Sequence, residues 1–366
     1  MELKKGKFCE EKIVNWFGTK KQKESYQLNK KLKKHQMDSI FNKASRQCKF
    51  VQLSEKSSDG TPKYWIKEVY DMPLPSNFTK MNSGLYQYII PLMLMYIIKN
   101  HDQNNKASFT VVRWGKEINM VNRNYLPAKY NKRKLSNIIK VDECLLYRFY
   151  EKSDARLRYY ITQSLDYLKQ ARCIIWNENY RLVEEWLDLD NKNDNLCIYN
   201  HKTDRIASDE DKKIYTEAIK YADEKADIQS AKERYYSYKS EDFQKYLTTY
   251  LKEHQILYVY KVYEAFYIDL DWCKFLLSFF SINEKNYLQK IHDFNKEFSD
   301  TLIEQVVEQY KKTPDKFQYY FSEEELTIDL ERVTNMLISY DTKKVQLKDN
   351  QSKLLLVNVL ETYEYK

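Results

Sequence analysis

Residues 153–184 decide the expected fold, and they read SDARLRYYITQSLDYLKQARCIIWNENYRLVE. The first half predicts a helix with one apolar face, because aliphatic residues recur at steps of four, four and three: Leu157, Ile161, Leu165 and Leu168. Asp154 suits the N-cap position, since its short side-chain oxygen can accept from the free N–H groups of the first turn. We therefore expect a helix over residues 154–171 that buries its leucine face.

The second half of the stretch predicts a tight β-hairpin. Two β-prone runs, Cys173–Trp176 and Tyr180–Val183, flank the turn-prone residues Asn177–Asn179. A helix followed by such a hairpin is the pattern of the recognition helix and wing of a winged-helix domain. The helix face turned away from the leucines carries side chains of the types that contact phosphates and base edges: Arg156, Tyr159, Thr162 and Gln163.

Three segments before this helix complete the expected domain. They are LYQYIIPLMLMYIIK at 85–99, FTVVRWGKEINMVN at 109–122 and KVDECLLYRFYE at 140–151. We expect the first two to supply the preceding helices, and the last to supply either a third helix or the support on which the recognition helix docks. In this order, residues 80–186 resemble the winged-helix domains of replication initiators and regulators carried by plasmids and phages. The resemblance implies binding to double-stranded DNA and brings no catalytic residue with it.

Basic residues are concentrated in two parts of the chain. Residues 1–50 hold 14 Lys and Arg against 5 Asp and Glu, and residues 113–182 hold 15 against 7. Residues 183–366 are acidic, with 26 against 36, although the whole chain carries a net charge of +8. A basic patch on such a fold is the expected footprint of phosphate binding. A solvated lysine-rich surface is the alternative explanation.

The predicted DNA contacts come from side chains around the helix and the wing. Arg156, Tyr159 and Gln163 would lie nearest the bases in the major groove. Five cations are expected to contact the DNA backbone: Lys132, Arg133, Lys134, Lys152 and, on the wing, Arg181.

The expected fold class is mainly α, with a winged-helix domain followed by an all-helical domain. The predicted parts are a basic helical segment at 1–50, a linker at 51–84, the winged-helix domain at 85–187, a second linker at 188–208 and an acidic all-helical domain at 209–366. The helices expected in the last part cover 209–235, 240–280, 283–312, 322–340 and 352–362.

Several features of the sequence favour a soluble, cytoplasmic protein. The six cysteines form no CxxC pair and show no regular spacing, which argues against a zinc module or a disulfide framework. No apolar signal segment follows the charged N-terminus, and the most hydrophobic run, 88–98, is too short to cross a bilayer. We therefore expect no contact with a membrane.

The sequence also lacks the common signatures of enzymes. Its five glycines leave no phosphate-binding loop and no dinucleotide fingerprint, and its five histidines form no metal-binding motif. Asp269 and Asp271 could together hold a magnesium ion, but residues two apart on a helix point to different sides, which favours a solvated or N-capping role. We therefore expect no catalytic residue, no metal and no cofactor.

Two functional hypotheses follow from these patterns. In the first, the protein binds specific double-stranded DNA as a plasmid or phage replication initiator or regulator, and its helical C-terminal domain forms a homodimer or recruits a host replication or transcription protein. In the second, it is a phage-encoded inhibitor or adaptor that binds a host protein, such as a defence protein, or a ribonucleoprotein, with the winged helix as a scaffold. An enzyme with a dispersed active site is a third hypothesis, for which the sequence offers no residues.

Overall fold

The computed structural model describes residues 3–56, 60–100, 105–192, 195–237, 239–280, 282, 286–313, 317, 320 and 322–338. The chain divides into two compact units, residues 1–81 and residues 82–366. Helices predominate, as expected for a mainly α protein. Within the described ranges, no helix combines the length and the apolar character that crossing a bilayer requires.

The first unit contains a three-stranded antiparallel sheet. Its strands are β1 (Gly6–Cys9), β2 (Cys48–Lys56) and β3 (Pro62–Val69), in the order β1-β3-β2, and its helices are α1 (Glu10–Phe17), α2 (Lys20–Asn29), α3 (Lys34–Ala44) and α4 (Phe78–Met81). Tyr64 and Ile66 of β3 join Ile40 of α3 in a buried core, whereas Trp65 between them is exposed. This alternation gives the sheet one buried face. Most of β2 and all of β3 lie within residues 51–84, so these residues hold part of a sheet where the sequence predicted a linker.

The second unit combines a four-stranded antiparallel sheet with eleven described helices. Its strands are β4 (Lys106–Phe109), β5 (Ile174–Lys192), β6 (Asn195–Ile206) and β7 (Ile256–Tyr267), in the order β4-β7-β5-β6. Its helices are α5 (Tyr86–Asn100), α6 (Val111–Glu117), α7 (Tyr125–Tyr130), α8 (Lys132–Ile139), α9 (Glu143–Gln170), α10 (Asp209–Lys225), α11 (Glu233–Tyr236), α12 (Ser240–Glu253), α13 (Leu270–Leu277), α14 (Tyr287–Lys312) and α15 (Glu323–Leu337).

The long helix α9 contacts elements on several sides, namely α5, α6, α8, α11, α14, α15 and β5. It begins earlier than predicted, since Asp142 is the N-cap and accepts from the backbone N–H of Cys144 at 2.7 Å. Asp154 lies inside the helix and is buried, so its assignment as the N-cap is wrong. The apolar face continues through residues 145–150, which extends the helix toward the N-terminus. The predicted leucine face is confirmed, because all four side chains are fully buried: Leu157, Ile161, Leu165 and Leu168.

The predicted wing does not form. Residues 174–192 make one continuous strand, β5, and Asn177–Asn179 pair with Val262–Glu264 of β7 instead of turning. The hairpin of this region is formed by β5 and β6, whose pairing runs from Arg181 opposite Ile206 to Lys192 opposite Asn195. Pairing with β7, about 80 residues further along the chain, overrides the local turn preference of the asparagines.

The fold class predicted beyond "mainly α" is therefore wrong. The structure is not a winged helix followed by an all-helical domain, because it contains two antiparallel sheets. The strand β7 falls inside the helix predicted over 240–280, and β6 falls inside the linker predicted over 188–208. The sequence of β7, ILYVYKVYEAFY, is rich in aromatic and β-branched residues, which favour a strand. The helix predicted over 352–362 lies outside the described residues.

Candidate functional site

A cleft of about 690 Å³ lies among α7, α8, the first turns of α9 and α12, and α11. We call it the basic cleft. Its charged lining consists of five cationic side chains and two carboxylates: Lys129, Lys132, Arg133, Lys134, Arg234, Glu143 and Glu241. Three tyrosines also line it: Tyr130, Tyr147 and Tyr235. Cations beside aromatic rings in a concave site form a combination suited to an anionic ligand that carries a flat group.

The first turn of α8 supplies three consecutive cations, Lys132–Lys134. The helix docks through Leu135 and Ile139, which are buried, while Arg133 and Lys134 are exposed and form no ion pair within the described part of the chain. Positive charges at a helix N-terminus oppose the helix dipole, and here the N-cap Asn131 makes no side-chain capping bond. An anion bound at this turn would relieve that repulsion.

Lys132 lies deeper in the basic cleft than its two neighbours. Its Nζ is 4.6 Å from the ring centroid of Tyr147 and 5.8 Å from that of Tyr150, and it donates to the carbonyl of Lys129 at 2.9 Å. Burial, followed by the charge of Lys129, lowers the pKa of Lys132 to about 8. An anionic ligand would stabilise the ammonium and raise this pKa again.

A buried carboxylate holds three of the surrounding elements together. Asp154 of α9 forms an ion pair with Lys129 of α7, with Nζ and Oδ2 separated by 2.6 Å. The same carboxylate accepts hydrogen bonds from the hydroxyls of Tyr125, at 3.0 Å, and Tyr236, at 2.8 Å. Burial and the nearby Asp154 raise the pKa of Tyr236, so its hydroxyl stays protonated and donating. This network joins α7, α9 and α11 and fixes the shape of the basic cleft.

Arg234 enters the basic cleft from α11 with its charge already balanced. Its Nε and Nη2 donate to the two carboxylate oxygens of Asp223 at 2.7 and 2.6 Å, and its guanidinium lies 5.9 Å from the ring centroid of Phe243. Lys129 is likewise balanced by Asp154. The positive charge that remains for a ligand therefore comes mainly from α8.

The structure brings only part of the predicted DNA-binding set together. Lys132, Arg133 and Lys134 line the basic cleft, whereas the other six predicted residues are absent from its described lining. Arg156 donates from Nε to Oε1 of Gln305 on α14 at 2.8 Å, which engages it within the protein. Tyr159 is 49% exposed, whereas Lys152 and Gln163 are half-buried. The hydroxyl of Thr162 donates to the backbone carbonyl of Arg158 within α9. Arg181 pairs with Asp204 at 2.9 Å.

Sequence reasoning missed the wall of the basic cleft that comes from the C-terminal half of the chain. Arg234 and Tyr235 lie in a region assigned to a separate acidic domain, and nothing near them in sequence indicates contact with residues 129–134. The local signal is the run Arg234–Tyr236, a cation followed by two aromatic residues.

Asp269, one of the two aspartates that could hold a magnesium ion, has a different role in the structure. Asp269 is the N-cap of α13 and accepts from the backbone N–H of Trp272 at 2.9 Å, which confirms the capping interpretation. Over the part of the chain that the structure describes, no group of three or more His, Cys, Asp or Glu is placed to hold a metal ion.

No family model, curated protein or solved structure matches the chain, so the resemblance to plasmid and phage proteins stays untested.

Proposed function

We propose that this protein binds DNA through phosphate contacts in the basic cleft. The observation that carries the proposal is the run of cations Lys132–Lys134 at the N-terminus of α8, inside a concave site. Phosphates are stabilised both by Lys and Arg side chains and by the positive end of a helix, and these two effects coincide here. The net positive charge of residues 113–182 adds a longer-range attraction for polyanions.

In this binding mode DNA contacts the cations of α8 instead of the predicted recognition residues of α9. Groove reading by Arg156 and Gln163 requires a helix with an open face, whereas α9 is packed by elements on several sides and Arg156 is bound to Gln305. Phosphate contacts by Arg133 and Lys134 require only exposed cations, which both residues provide. The binding we propose therefore depends on charge and shape more than on base sequence.

The test compares the full-length protein with the double variant Arg133→Ala/Lys134→Ala, using fluorescence anisotropy of labelled DNA over a series of salt concentrations. Each lost phosphate contact should reduce the slope of log affinity against log salt by about 0.7 to 0.9, so the variant should bind more weakly and with a flatter slope. The matched control is Lys213→Ala/Lys220→Ala, which removes two exposed cations from α10 outside the described lining of the basic cleft.

An unchanged slope in the first variant, or an equal loss in the control, would contradict the assignment to the basic cleft. Failure of the intact protein to bind any DNA at low salt would remove the proposal altogether. The second hypothesis, an inhibitor or adaptor that binds a host protein, would then explain the function better than DNA binding.

A further inference from the structure

We propose that the basic cleft accommodates an unpaired nucleotide of single-stranded DNA, with the base stacked on an exposed tyrosine and the phosphate bound by the cations of α8. This inference rests on the proposed function and specifies its ligand. Three features of the cleft support it: its size, the exposure of two of its tyrosine rings and the distribution of its charges.

The size and shape of the cleft favour a single nucleotide over a duplex. A volume of about 690 Å³ lies within the range of about 300–1,000 Å³ that is typical of pockets for small molecules. A duplex presents a convex backbone and covers the faces of its bases by stacking, so it can touch only the rim of such a cleft. A single strand can turn one base and its phosphate inward, because its bases are not held in a helical stack.

Two of the lining tyrosines keep much of their surface open to solvent. Tyr130 is 75% exposed and Tyr235 is 40% exposed. Tyr235 is held in place by the rings of Tyr236 and Phe243, each 6.2 Å away between ring centroids. Tyr147 differs from both, because the ammonium of Lys132 lies over its ring. Tyr130 and Tyr235 are therefore the rings that a base can reach.

The charges of the cleft orient the nucleotide. Arg133 and Lys134 are exposed on α8, whereas the carboxylates of Glu143 and Glu241 lie in the first turns of α9 and α12. A phosphate is attracted to the first pair and repelled by the second, so it should lie against α8. Stacking on tyrosine tolerates any base, since every base presents a flat π face. The site should therefore select single strands without strong sequence preference.

The experiment measures binding of the full-length protein to a labelled 12-nucleotide oligo(dT) strand and to a blunt duplex of the same length, by fluorescence anisotropy at one salt concentration. We expect the single strand to bind at least about tenfold more tightly. Tyr130→Ala should weaken binding of the single strand by about 5- to 150-fold if its ring stacks a base, and Tyr235→Ala should do the same if the base lies on that ring. Tyr→Phe at either position should keep the affinity, because the ring face is retained.

The matched control is Tyr258→Ala, which removes a tyrosine that is 49% exposed on β7, outside the described lining of the cleft. Its binding should equal that of the unmodified protein. Tyr130 is so exposed that its loss should leave the melting temperature unchanged, which separates a binding defect from misfolding.

The outcomes distinguish this inference from the proposed function. Equal or tighter binding of the duplex would overturn the inference and leave DNA binding in place. Binding of neither form would remove both. Retained affinity in the double variant Tyr130→Ala/Tyr235→Ala, with its melting temperature intact, would also overturn the inference, because no base could then be stacking on these rings.

Discussion

Lys129, which lines the basic cleft, forms an ion pair with the buried carboxylate of Asp154, with Nζ and Oδ2 separated by 2.6 Å. The carboxylate also accepts from the hydroxyls of Tyr125 and Tyr236, so one side chain of α9 holds both α7 and α11. Lys129 and Tyr130 of α7 and Tyr235 of α11 line the cleft, so its geometry depends on a carboxylate that is absent from its described lining.

Asp154→Asn should destabilise the protein and impair the cleft together. The substitution leaves the ammonium of Lys129 without its buried counter-charge and weakens the hydrogen bond from Tyr236, which should cost about 3 kcal/mol in the free energy of unfolding. Urea unfolding followed by circular dichroism measures this cost. The control Asp209→Asn alters a carboxylate whose side chain is 95% exposed, and it should change stability by less than about 0.5 kcal/mol. A loss of similar size in both variants would mean that the network around Asp154 has no special role.

Lys132 should make DNA binding dependent on pH. Its pKa of about 8 means that the ammonium loses its proton between roughly pH 7 and pH 9. Because only the charged form attracts phosphate, binding above the pKa of the free protein requires the uptake of a proton, and affinity should fall over this interval. Lys132→Met should remove this pH dependence, whereas Lys134→Met, on the exposed side of the same turn, should retain it. Affinity of the unmodified protein that is constant from pH 7 to pH 9 would show that Lys132 does not face the ligand.

Lys132 should also make the free energy of unfolding depend on pH, and this quantity should rise over a pH range in which the affinity for DNA falls. The folded protein has a pKa of about 8 at Lys132, below the ordinary value of 10.5, so the unfolded chain binds more protons between these two values. The contribution of Lys132 to stability should therefore rise as the pH increases from about 8 to 9.5. Urea unfolding at both pH values should show this rise in the unmodified protein and a smaller one in Lys132→Met.

Asn179→Pro should distinguish the strand β5 from the turn that the local sequence suggests. The carbonyl of Tyr180 accepts from the N–H of Ala207, so the preceding residue Asn179 directs its own N–H toward Val262 of β7. Proline removes that N–H, and we expect a loss of stability on the order of 3 kcal/mol. Asn179→Ala separates the loss of the side chain from the loss of the backbone bond, and it should cost less. A proline variant as stable as the alanine variant would be the result expected of a turn.

Local sequence patterns predicted several features correctly. The leucine face of α9 follows from the helical period alone, since residues three and four apart share a face wherever the helix begins. The capping role of Asp269 also depends only on the residues that follow it. The phosphate contacts predicted for the run Lys132–Lys134 stay a prediction, although the three residues line the basic cleft.

Contacts between distant residues decided the rest. Asn177–Asn179 favour a turn by themselves, but pairing with β7 extends them into a strand, and no local pattern could show that partner. Asp154 has the side chain of an N-cap and becomes a buried anchor because Tyr236, 82 residues later in the chain, donates to it. A helix satisfies its hydrogen bonds within four residues, so its pattern is visible in the sequence. A sheet and a cleft bring together residues that are far apart in the chain, and only the tertiary structure determines which of them meet.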